Sequence, residues 1–223
     1  MKNTLKYTVV FLVVIFLLAC GSTSLLKTFK NKHENKQYES IAKTEIKCNK
    51  SDKGCNQLHL IKGDACYRLG KENNKPLERF DCAIEHLDTG ISLTKQWKSG
   101  QLDLNQDQVY ENLSESLRLR QNMSKGAEAD KFTRRLIQTS AAFLKLSPDN
   151  LAAIYFNNSA NFTALRGRIL TSPDDPRVCQ AVDHILSRLL TASTRAANSR
   201  YASQYSVLIG DVKGIKAVLV NCP

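Results

Sequence analysis

The sequence predicts an all-α fold, on three observations. Breakers are sparse, with 10 Gly and 5 Pro in 223 residues, whereas a sandwich or barrel needs a turn signal every ~8–12 residues. From residue 57 onward, apolar residues recur at spacings of three and four, and strand-like alternation is nowhere sustained. The breaks that do occur are short and polar, which returns each helix antiparallel to the one before it.

The elements run in order along the chain. Residues 57–70 carry Leu58, Ile61, Ala65 and Leu69 on one face. "GKENNKP" ends that run, and Pro76 stands where a new helix can begin. Residues 77–97 continue with Leu77, Phe80, Ile84, Leu87, Ile91 and Leu93. Asp107 caps a helix holding Val109, Leu113 and Leu117, which "SKG" closes. Residues 127–146 repeat Phe132, Leu136 and Leu144. "SPDN" (147–150) is a turn in which Pro presets φ and Asp or Asn caps the next helix. Residues 151–169 form that helix, "TSPDDPR" (171–177) is a second such turn, and helices over 178–198 and 201–219 complete the chain.

Upstream, "MKNTLKY" supplies two lysines, and an uncharged apolar stretch runs from Thr8 to Ala19. It is shorter than the ~20 residues a bilayer-crossing helix needs. A positive start, a short apolar core and a small residue before a break make a secretory signal. The break, Leu17-Leu18-Ala19-Cys20-Gly21, resembles the lipobox of bacterial lipoproteins. The resemblance implies diacylglyceryl transfer to the Cys20 thiol, cleavage after Ala19 and acylation of the new N-terminus. Paired acyl chains anchor stably where one does not. Gly21, in place of the Asp associated with inner-membrane retention, implies the outer membrane with the domain in the periplasm. Residues 1–19 are then a signal peptide. Residues 20–55, polar and lysine-rich, read as a lipidated tether, and 56–223 as the helical domain.

The formal charge of +11 suits nucleic acid or anionic membrane equally. Export removes nucleic acid as a partner. Lysines are dense in residues 21–56, eight against four acidic residues, and suit headgroup contact near the anchor.

Of seven cysteines, lipidation of Cys20 leaves six: Cys48, Cys55, Cys66, Cys82, Cys179 and Cys222. An even set in an oxidising compartment reads as disulfides. Six cysteines allow fifteen pairings. Local geometry favours Cys48 with Cys55 across a small polar loop and Cys66 with Cys82 near the turn of a hairpin, which leaves Cys179 with Cys222. The spacing of Cys48 and Cys55 is wider than a zinc knuckle's, and no metal is expected.

"CAIEHLDTGISL" (82–93) resembles the second helix of a tetratricopeptide repeat, with Ala83 and Gly90 as small residues and Leu87 between them. Gly63 in "HLIKGDACYRLG" matches the small residue of a first helix. "FLKLSPDNLAAIYFNNSANF" (143–162) resembles the junction between two repeats, and "VCQAVDHILSRLL" (178–190) another second helix. The first connection is too long for the family, and Asn158 stands where it carries Gly. The resemblance implies a tetratricopeptide-like array of about three helical hairpins plus a C-terminal capping helix.

Catalytic patterns are missing. There is no Gly-x-Ser-x-Gly elbow, no His-Glu-x-x-His and no phosphate-cradling loop. His86 and His184 occupy matching helix slots and read as packing or half-exposed helix residues. No cofactor and no enzymatic activity are expected. Stacked hairpins bind extended partners on the face lined by first helices. That places Tyr110, Ser114 and Arg118 on one helix, and Tyr155, Ser159, Phe162 and Arg166 on the next, as a partner groove. The expected function is an envelope lipoprotein acting as a scaffold for a protein or peptide of the pilus, secretion, outer-membrane assembly or cell-wall machinery. A carrier of a small apolar ligand or lipid is the alternative, and a periplasmic hydrolase the third reading.

Overall fold

The computed structural model describes residues 24–72, 75–95, 97 and 104–219. Cys20 and Cys222 lie outside them. Among the described residues the fold is all-helical, in hairpins joined by short turns. The chain divides into two compact units, Met1–Val109 and Tyr110–Pro223.

The N-terminal unit is built on a hairpin of α3 (Cys55–Lys71) and α4 (Pro76–Leu93). Its two backbones approach closely because each helix offers a glycine to a leucine of the other. A Cβ on Gly63 would lie 2.6 Å from Leu87 Cγ, and one on Gly90 would lie 2.5 Å from Leu60 Cδ2. Ala83 and Leu87 are fully buried beside them. Cys66 and Cys82 are bridged across the hairpin. The helix expected over 77–97 ends at Leu93 instead. Thr94 turns extended there, and its hydroxyl donates to the Gly90 carbonyl at 2.7 Å, taking an acceptor the next turn would have used.

The stretch expected as a tether is folded from residue 24. Helix α1 (24–34) and α2 (Tyr38–Lys43) pack on α3. Phe29 and Ile41 are fully buried with Leu58, Ile61 and Ala65. Leu25, Leu26 and Phe29 share one face of α1, enough to seat it although the surrounding residues are polar. Polar contacts lock the seat. His33 Nε2 lies 2.6 Å from Oδ2 of the buried Asp64, which also accepts from Arg68 Nε at 2.6 Å. Arg79 Nη2 donates to both carboxylate oxygens of Glu39 at 2.8 Å.

The C-terminal unit holds most of α5 (Gln106–Asn122), then α6 (Gly126–Leu146), α7 (Leu151–Thr171), α8 (Pro176–Ala196) and α9 (Ala202–Val218). Helices α5 and α6 are tied by Gln121 Nε2, which donates to Thr133 Oγ1 at 2.6 Å, and by Arg120 over the Phe132 ring. The two proline turns work as their residues dictate. Asn150 accepts from the N–H groups of Ala152 and Ala153, and Asp175 accepts from that of Arg177. Helix α7 packs against α6, α8 and α9, and its first half, from Ala152 to Phe162, is buried nearly all round. That central position brings residues on its remaining open face to a site.

Candidate functional site

Helix α7 presents Tyr155, Ser159, Phe162 and Arg166 at successive spacings of four, three and four. These spacings keep them on one stripe. The stripe faces α9, and the two helices enclose a cleft of about 370 Å³ open to solvent. Tyr155 and Phe162 form its floor and are themselves core residues, 8% and 1% exposed. Ser159, Thr163 and Arg166 line one wall, and Ser203, Gln204, Val207 and Asp211 of α9 the other.

The electrostatics are built into the rim. The Arg166 guanidinium lies 5.2 Å from the Phe162 ring centroid, a cation–π distance. Its Nη2 lies 3.6 Å from Asp211 Oδ2, spanning the cleft. Both side chains are more than half exposed, so this pair is weak and open to exchange for a ligand's charge. Val207, 65% exposed, offers an apolar edge. Beneath, Tyr155 stands 6.0 Å from the Tyr205 ring, and the Tyr205 hydroxyl donates to the Leu151 carbonyl at 3.0 Å. Burial pushes the Tyr205 phenol well above its ordinary range, so the floor stays uncharged.

The α5 half of the expected groove is arranged differently. Tyr110 stacks on Phe143 at 5.7 Å. Ser114 is fully buried, and its hydroxyl has no hydrogen-bond partner. Arg118 pairs with Glu115 at 3.8 Å. None of the three lines the α7–α9 cleft. A turn of α5 that includes Glu111 serves packing: its carboxylate accepts from the Tyr201 hydroxyl at 2.5 Å and from Arg200.

A second cleft, about 380 Å³, lies between α7 and α8, lined by Asn158, Asn161, Leu165, Arg168, His184 and Arg188 among others. His184 is exposed and borders this opening. Sequence reasoning also missed the α9 wall. Gln204, Val207 and Asp211 repeat at three and four, a signal that is present but belongs to a helix expected only as a cap.

Cys48 is bonded to Cys55, and Cys179 is disulfide-bonded. Among the described residues, Cys48, Cys55 and His59 are grouped closely enough to hold a metal ion, with ligand atoms within 4.8 Å of one another. The two sulfurs are joined to each other, whereas a metal needs thiolates. No family model matches the chain, and no curated protein and no solved structure matches it either.

Proposed function

We propose that this chain is a cell-envelope lipoprotein, anchored at Cys20, whose helical domain holds a protein or peptide partner in the α7–α9 cleft. The cleft carries the reading. An apolar floor under a rim of hydroxyls, an amide and a loose ion pair suits a peptide, which offers one buried side chain and several backbone hydrogen-bonding groups. A binding role, in place of catalysis, is the use that lining suits. An outer-membrane site facing the periplasm, and a partner in the pilus, secretion, assembly or cell-wall machinery, belong to the same proposal.

The bridged cysteines support the location, because they fit an oxidising compartment. No helix among the described residues is long and apolar enough to cross a membrane. The tetratricopeptide-like reading is supported by the reciprocal glycine–leucine contacts of α3 and α4.

A photo-cross-linker placed at Val207 in intact cells tests the binding claim. A discrete adduct is expected there and not at Lys131 on α6, and Arg166→Glu should weaken it. Equal capture at both positions would defeat the cleft as the binding site. Loss of lipid label in Cys20→Ala checks the anchor separately.

A further inference from the structure

The two bridges of the N-terminal unit sit in different surroundings. Cys66 is fully buried in the middle of α3. Cys48 is half-buried, and the turn after it, 49–54, is largely exposed. Cys48 is thus more exposed than Cys66, although it also packs against the Phe29 and Ile41 cluster. Cys55 is 2% exposed and is the first residue of α3.

The positive end of α3 has no side-chain cap. Its N-cap is Gly54, which has no side chain, and no acidic residue stands in the first turn. The Cys55 N–H donates to the Asp52 backbone carbonyl at 3.1 Å. Helices α7 and α8, by contrast, are capped by Asn150 and Asp175. A thiolate at a helix N-terminus is stabilised by the helix dipole and by N–H groups that no side chain caps.

A histidine stands beside the bridge. One ring nitrogen of His59, a helical turn beyond Cys55, lies within 4.8 Å of both sulfurs. His59 Nδ1 lies 2.9 Å from His86 Nδ1, so one donates to the other and the tautomers are linked. Burial, helped by the Lys62 ammonium, holds both rings below the ordinary histidine range, His86 at about 4. Glu85 opposes this at His59. Lys62 also faces Glu45, while the Asp52 carboxylate in the turn accepts from the Asn49 N–H at 2.8 Å.

We propose that Cys48–Cys55 is a thiol–disulfide exchange site that takes a protein dithiol as its substrate, with Cys55 as the leaving thiolate and His59 as its positioning residue. A thiolate of the dithiol attacks Cys48 Sγ. The S–S bond breaks and its electron pair leaves on Cys55 Sγ. The second thiolate of the dithiol then attacks its own sulfur in the mixed disulfide and releases Cys48. Two electrons pass to this protein, the dithiol departs as a disulfide, and its two protons reach Cys48 and Cys55 through solvent. A low leaving-group pKa speeds the first step. Cys66–Cys82 remains as the staple of the hairpin.

The full-length chain is treated with graded dithiothreitol, and each thiol is trapped by alkylation and mapped by mass. Cys48–Cys55 should open at least about tenfold faster than Cys66–Cys82. In Cys48→Ser, the Cys55 thiol should titrate below the ordinary ~8.5, read from thiolate absorbance. His59→Gln retains the bridge, and with an unchanged circular-dichroism spectrum it should slow exchange several-fold. Accessibility alone would give the first result but not the other two. Equal opening of the two bridges, a Cys55 titrating at or above the ordinary value, or an unchanged rate in His59→Gln would each overturn the assignment. Should Cys48→Ser fail to fold, the His59→Gln rate decides.

Discussion

Gly90→Ala adds one methyl group to the face of α4 that meets α3. The new Cβ would lie 2.5 Å from Leu60 Cδ2, 2.6 Å from its Cγ and 3.0 Å from its backbone nitrogen. The leucine end could rotate away in open space, but Leu60 is 1% exposed and has nowhere to go. The backbone nitrogen cannot move unless the helices part. Overpacking of this kind costs about 1–3 kcal/mol. The helix propensity of Ala over Gly returns up to ~1 kcal/mol. Because the contact reaches the Leu60 backbone, the upper part of the overpacking range, about 2–3 kcal/mol, applies, and the net expectation is destabilisation by about 1–2 kcal/mol. With a urea slope of ~2 kcal/mol/M, the midpoint falls by roughly 0.5–1 M. Trp97 is the sole tryptophan and lies in the N-terminal unit, so its fluorescence reports the affected transition. Gly214→Ala is the control. Nothing lies within 4 Å of its added Cβ, so propensity alone acts and the C-terminal unit should gain about 0.5–1 kcal/mol. A neutral or stabilising Gly90→Ala would refute the close approach of α3 and α4.

Phe29→Ala should cost about 3–5 kcal/mol and expose 24–44 to protease, since Phe29 is fully buried among α2 and α3 residues; an unchanged digestion pattern would mean that α1 is not seated. Asp175→Asn retains an N-cap acceptor but removes a carboxylate that hydrogen bonds from Arg177 hold at about 2, below its ordinary 3.8. A depressed acid stabilises above its unfolded value and stops doing so as pH falls through the folded one. Wild type should therefore exceed Asp175→Asn in melting temperature near neutral pH, and the gap should close between pH ~4 and ~2. His86 titrates at about 4 in the fold because burial disfavours its charge. The unfolded chain binds that proton first, so stability should fall between pH ~6.5 and ~4, and His86→Gln should flatten the decline.

How much of this was legible depended on the length of the element. Helices α3 to α9 each carry an apolar face over four or more turns, and the two proline turns have a mechanism in their own residues. The close approach of α3 and α4 was legible at Gly63 and Gly90 through the tetratricopeptide resemblance, whose small residues let paired backbones approach, whereas the leucines they meet were not. Helices α1 and α2 were obscured. They are short, so Leu25, Leu26, Phe29 and Ile41 make too few repeats to stand out among the lysines, and α3 supplies the surface that folds them. The α7 stripe was readable from spacing, but its opposite wall was not. That wall depends on how α9 returns across α7, which is a tertiary fact. The α5 stripe failed for the same reason: Ser114 and Tyr110 have groove-like spacing, yet the packing of α5 buries one and stacks the other on Phe143.

On the proposed lipoprotein reading, the early start of the fold alters what an anchor at Cys20 would do. A tether reaching to residue 55 would let the domain wander far from the bilayer. With α1 seated from residue 24, only four peptide steps separate it from Cys20, a reach of at most about 14 Å. On the lipoprotein reading, α1 then starts within that reach of the headgroups, and Lys27, Lys30 and Lys32 of α1 are the described lysines nearest in sequence to the anchor. On that reading, anchoring would concentrate the chain beside a membrane-proximal partner. A 20-residue Gly/Ser insertion after Ser22 adds an r.m.s. reach of about 25 Å without touching the fold or the cleft. Adduct yield at Val207 should fall several-fold while lipid labelling and melting temperature stay the same. Undiminished capture would show that the partner is met away from the membrane, and that the short link serves retention alone.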